Sequence, residues 1–151
     1  MGIFIRFFSA SDDADAAQCL DNEPGSVSGT VSASEAMMRD RFLASSVLAE
    51  WETILTGPGA GDHGQAAAPR VVADDRPRSG SKILAPPPRL RAALAAADRA
   101  RLAEVAHQWV DQYGEQYGNF EPDEVSHILC ELSWLARTAD AEGEGVHLWM
   151  R

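Results

Sequence analysis

The chain has one lysine, Lys82, and two cysteines, Cys19 and Cys130, in 151 residues. Each scarcity excludes something. With 13 Lys and Arg against 23 Asp and Glu, the formal net charge is -10. Nucleic acid and anionic membrane surfaces are bound by clustered cations that release counterions, so neither is an expected partner. A single possible cysteine pair is not a disulfide framework, and a reducing cytoplasm is the expected home. No run approaches the ~18 apolar residues that a membrane span requires. The opening "MGIFIRFF" is short, is broken by Arg6 and leads into acids, which fits neither a secretory signal nor, with Arg6 where Ser or Thr is wanted, a myristoylation signal. No repeat of solenoid period is visible.

What is present suits one domain with a single core. The apolar "GIFIRFF" predicts a strand. "SASDDADAAQCLD" follows, with Ser9 or Ser11 as a helix N-cap and Asp12, Asp13 and Asp15 favoured by the dipole of the first turn. Ser32 and Glu35 have capping-box spacing, and Met38, Phe42, Leu43, Val47, Leu48, Trp51, Ile54 and Leu55 recur at helical spacing, predicting one long helix. Residues 57–70 and 74–81 are turn-rich and predict flexible loops, with "RVVA" and "SKILA" as short strands near them. Prolines lead two of the remaining helices, "PRLRAALAAA" and "FEPDEVSHILCELSWLARTADAEG"; between them lies a third, capped by Asp98. "GVHLWMR" alternates as a strand. The expected fold is α/β or α+β, a mixed sheet containing both terminal strands and covered by four to five helices.

Candidate chemistry is sparse. The loop "TGPGAGDHG" is glycine-rich, but phosphate cradles place glycines before a helix, where backbone N–H groups point at the anion. Here they follow one. Gly57 takes the place of a left-handed C-terminal cap, Pro58 cannot continue the helix, and no Gly-Lys-Ser/Thr occurs. Glu104 with His107, and Glu124 with His127, are each Glu-x-x-His on expected helices, a spacing used by di-iron carboxylate bundles, with Glu35, Glu50 or Glu52 available to complete a set. Two expected strands leave too little chain for four long helices, so exposed faces with partial i,i+3 pairing are the plainer account. His127 could touch Cys130, but a catalytic thiol wants an electropositive setting, whereas "HILCEL" suits a buried structural cysteine. Serine-hydrolase elbows, zinc-protease helices and paired-cysteine metal patterns are absent from the sequence. Trp51, Trp109 and Trp134 fall on or beside apolar stripes and are expected in the core, while Trp149 suits either core or an exposed anchor.

The Trp helix closing in "LAEWETILTG", the proline-led helix after "KILAPPP" and the final helix passing into "GVHLWM" resemble the YfbM-like family of bacterial proteins of unknown function. The resemblance spans nearly the whole chain and implies an α/β domain with helices around a sheet. It implies no activity, catalytic residue or cofactor. The Asp-Lys pair expected before the Trp helix is missing, and "RPRSGSKILA" replaces a Tyr- and Gly-rich run. The expected function is a small acidic cytoplasmic protein that binds another protein without catalysis, with a basic protein as the expected partner. An immunity-type protein that neutralises a basic toxin or nuclease is one concrete form. The alternative is a metal-dependent enzyme or metal-binding protein using Glu104, His107, Glu124 and His127.

Overall fold

The computed structural model describes residues 3–20, 31–38, 44–57, 69–78, 80–117 and 120–151, with backbone alone for 3–5, 31–38 and 44–45. Along the chain lie β1 (Ile3–Ala10), α1 (Asp13–Ala17), β2 (Val31–Met38), α2 (Ala44–Thr56), β3 (Arg70–Asp75), β4 (Ser81–Ala85), α3 (Pro88–Ala96), α4 (Arg99–Tyr113), α5 (Pro122–Glu142) and β5 (Gly145–Met150). The strands form one five-stranded sheet in the order β2-β1-β5-β4-β3. Both terminal strands lie inside it, so the apolar edge of β1 is covered by β2 on one side and β5 on the other.

All four strand pairings are antiparallel, which corrects the expected mixed sheet and makes the fold α+β. Where the helices sit accounts for this. Parallel sheets are built from crossovers that cover both faces with helices. Here Phe7, Leu84 and Leu148 pack with residues of α2 to α5 on one face, while Phe8, Ile83 and Trp149 pack on the other with Ala16 and Cys19 from the α1 region. Successive residues in β1, β4 and β5 therefore serve two cores, as strand alternation requires.

The long helix expected from Ser32 is a strand followed by a shorter helix. Residues 31–38 pair with β1, Met38 opposite Ile3 and Glu35 opposite Arg6, and helix begins only at Ala44. "VSASEA" alternates, and completing the edge of β1 outweighs a four-residue capping pattern. Phe42 and Leu43 lie outside the described residues. Within α2 the stripe holds: Val47, Leu48, Trp51 and Ile54 are buried. Gly57 ends the helix with φ +77° and donates its N–H to Thr53 O at 3.0 Å, the left-handed stop expected of it. Residues 58–68 of the expected 57–70 loop are outside the described residues. The 74–81 segment is a hairpin connection: Asp74 and Asp75 belong to β3 and Ser81 to β4, with Gly80 at φ +77°.

Helix ends follow their chemistry. Asp12, rather than Ser9 or Ser11, caps α1, its Oδ1 accepting from Asp15 N at 2.8 Å, because Ser9 is held within β1 and the Ser11 hydroxyl bonds Asp15. Asp98 caps α4 by accepting from Arg101 N at 2.7 Å. Glu121 and Glu124 form a capping box at α5, which Gly143 closes at φ +71°.

A carboxylate joins α2 to α4. Glu50 accepts from Trp109 Nε1 at 2.8 Å and from the Tyr117 hydroxyl at 2.9 Å. Trp109 stacks on Tyr117 at 5.4 Å and meets Trp51 edge-on at 6.0 Å. The Arg101 guanidinium donates to Ile54 O at 2.7 Å, and the Ser133 hydroxyl donates to Leu94 O at 2.6 Å, tying α4 to α2 and α5 to α3.

Candidate functional site

A cavity of about 420 Å³ opens where α1, the start of β3, the proline entry to α3 and the start of β5 meet. Sequence patterning explains each wall. Asp12 and Asp13 stand at the start of α1, Pro86 to Pro88 form a rigid apolar entry to α3, Arg91 follows on that helix, and His147 projects from β5. His147 shares a sheet face with Phe8, its partner in register, and the two rings stack at 5.6 Å. Its side chain is only 3% exposed, and Nε2 lies 3.3 Å from Asp13 Oδ1.

Arg70, at the first position of β3, binds the same carboxylate with both terminal nitrogens, the Nη2 contact to Oδ1 being 3.1 Å. Hydrogen bonds from Arg70 and then His147 lower the Asp13 carboxyl to about 2. It is therefore a fixed anion between two donors.

An Asp–His pair suggests proton transfer, but its geometry opposes that use. With Nε2 turned to Asp13, the remaining nitrogen, Nδ1, is buried without a hydrogen-bond partner among the described residues. The ring is also packed against Gly145, where an added Cβ would stand 3.2 Å from His147 Cε1. The nearby Ser11 hydroxyl is bonded to Asp15. Asp13, Arg70 and His147 thus tie three distant segments together, and they offer no open base or activated nucleophile.

The Glu-x-x-His residues are held in other roles. Glu104 is 71% exposed and pairs with Arg101 at 3.3 Å, while His107 is exposed. Glu124 accepts from Glu121 N at 3.0 Å within the capping box, and His127 pairs with Glu131 at 3.2 Å. Glu50 is engaged by Trp109 and Tyr117, and Glu52 is buried near Arg89. Among the described residues, no group of three or more His, Cys, Asp or Glu side chains could hold a metal ion. Cys130 is partly buried rather than fully so, and packs against the main core; Cys19 is buried and neither cysteine is disulfide-bonded.

Trp51, Trp109 and Trp149 are buried, whereas Trp134 is 51% exposed on α5, which corrects its expected place in the core. The α5 stripe through Leu132, Leu135 and Ala136 is satisfied without it. Exposed acids occur on this helix and its neighbour, Glu104, Asp111 and Glu115 on or just after α4 and Glu121, Asp123 and Glu124 at the start of α5, while Arg137, three positions after Trp134, is exposed as well.

Fold and site together define a small acidic α+β domain with a charged cavity at one side of its sheet and an exposed tryptophan on its longest helix. Compared with family models, curated proteins and solved structures, the chain finds no match in any of the three. Among the described residues, no helix is long and apolar enough to cross a membrane.

Proposed function

We propose that this chain is a non-catalytic protein-binding domain whose partner is a basic protein. The observation that carries the reading is Trp134: of four tryptophans it alone stands half exposed, on a helix, in a chain of net charge -10. Tryptophan is the residue type most enriched among interface anchors, and opposite charge accelerates encounter with a basic partner. The sealed nitrogen of His147 and the commitment of the Glu-x-x-His residues to caps and surface pairs weigh toward binding over catalysis. An immunity-type protein facing a basic toxin or nuclease is the concrete form of this reading. A cytoplasmic home is part of it, supported by two unpaired thiols. So is membership of the YfbM-like family, supported by the order of the Trp51 helix ending at Gly57, the proline-led α3 and α5 running into β5.

The test is affinity capture of basic proteins from a lysate of the source cells with this chain as bait, followed by calorimetry of any purified pair across a salt series. Affinity should fall steeply with salt and drop at least roughly tenfold in Trp134→Ala, the size of an interface anchor. Absence of binding, or binding insensitive to both salt and Trp134→Ala, overturns the reading.

A further inference from the structure

We propose that the cavity between α1, β5 and the start of α3 binds a small zwitterion, an amino acid or short peptide, with Arg91 taking its carboxylate and Asp12 its ammonium group. This site is separate from the Trp134 surface and does not depend on the protein-binding reading.

Four charged side chains line the cavity, and they divide into two kinds. Asp13 and Arg70 are hydrogen-bonded to each other and neutralise one another, so they serve as wall. Asp12 and Arg91 are engaged through one atom each and keep others that make no hydrogen bond among the described residues. Asp12 uses Oδ1 to cap α1, and its Oδ2 has no donor among the described residues. The Arg91 guanidinium forms an ion pair with Asp140 at 3.7 Å through Nε, too long for a hydrogen bond, and its terminal nitrogens have no acceptor among the described residues.

One anion and one cation, each only partly engaged, therefore line a common space. Between them the walls are apolar, built from Pro86 to Pro88 and Val146. A purely anionic ligand would meet Asp12 and the repulsion of a chain of charge -10; a purely cationic one would meet Arg91. A molecule with both charges on a short apolar frame satisfies both. The volume of about 420 Å³ lies near the lower end of the roughly 300–1,000 Å³ usual for small-molecule sites, and the proline wall is fixed before binding.

The experiment is calorimetry on the full chain with the standard L-amino acids and a set of dipeptides, alongside amines and carboxylates of matching size that carry one charge. At least one zwitterion should bind saturably, and its single-charge analogues should bind at least about tenfold more weakly. Asp12→Asn keeps a good N-cap, so the fold survives while the charge is lost. Asp12→Asn and Arg91→Gln should each weaken binding by about tenfold with an unchanged far-UV circular dichroism spectrum. Failure of every zwitterion to bind, equal binding of a single-charge analogue, or unchanged affinity in the folded variants would each overturn the proposal.

Discussion

His147 Nε2 lies 3.3 Å from Asp13 Oδ1, joining β5 to α1 across 134 positions of sequence. Because Arg70 and His147 hold the Asp13 carboxyl at about 2 against an ordinary 3.8, its stabilising contribution is complete above pH 3.8 and is lost as pH falls toward 2. Asp13 is about half exposed to solvent, which limits that contribution to about 1 kcal/mol or less. Asp13→Asn should accordingly melt lower by about 2–4 °C at pH 7 and converge on the wild type near pH 2. Thermal melts at a series of pH values check this; a deficit that stays constant into acid would assign the loss to packing.

The aromatic cluster predicts an asymmetry among the tryptophans. Trp51→Ala and Trp109→Ala each remove a side chain that is 1% exposed and should cost roughly 3–5 kcal/mol, Trp109 also leaving Glu50 short of a donor. Trp134→Ala should change stability by no more than about 0.5 kcal/mol. Urea unfolding of the three variants measures this, and a Trp134→Ala cost comparable to the other two would place that ring in the core.

Tyr117 gives a signature at high pH. Burial, together with the adjacent Glu50, pushes its phenol up to about 12, so the folded state keeps a proton that the unfolded chain releases near 10. Stability should therefore decline as pH rises from 10 toward 12, and the slope should diminish in Tyr117→Phe. The phenolate absorbance should show a late step near pH 12 that the same variant lacks.

Glu52 is 2% exposed, its nearest Arg89 contact is 3.9 Å, and burial raises its carboxyl above the usual range. A raised carboxyl stabilises the fold only below the unfolded pKa and loses that contribution as pH rises through its folded value. Glu52→Gln removes the charge while keeping the shape. It should be more stable than the wild type at pH 7, on the order of 1 kcal/mol, with the gain disappearing below about pH 4. Paired chemical denaturation at the two pH values provides the comparison.

Local chemistry was the readable part of the sequence. Asp98 as a cap, prolines at the starts of α3 and α5, Gly57 and Gly143 as left-handed stops and the strands at both ends all depend on neighbours within a few positions. The Ser32–Glu35 pattern misled because strand pairing with β1 is a tertiary contact that no local spacing encodes. Trp134 misled because it adjoins the apolar stripe of α5 without being needed by it. The cavity was illegible for the same reason as β2: Asp13, Arg70 and His147 are 57 and 134 positions apart. A faint signal did exist in "GVHLWM", where His147 occupies the same alternation as Trp149 and so faces inward.

Between the β1–β2 pair and the β4–β3 pair stands β5, and every backbone hydrogen bond joining the two pairs runs through it. A ribosome delivers that strand after both pairs and after α3, α4 and α5. The growing chain can form two hairpin-like halves and pack helices early, yet it must keep the apolar flank of β1 shielded while its neighbour is still being made. Closing the loop between β1 and β5 spans almost the entire length, and such distant pairings fold slowly. The two halves of the sheet can therefore be joined only once β5 has been made.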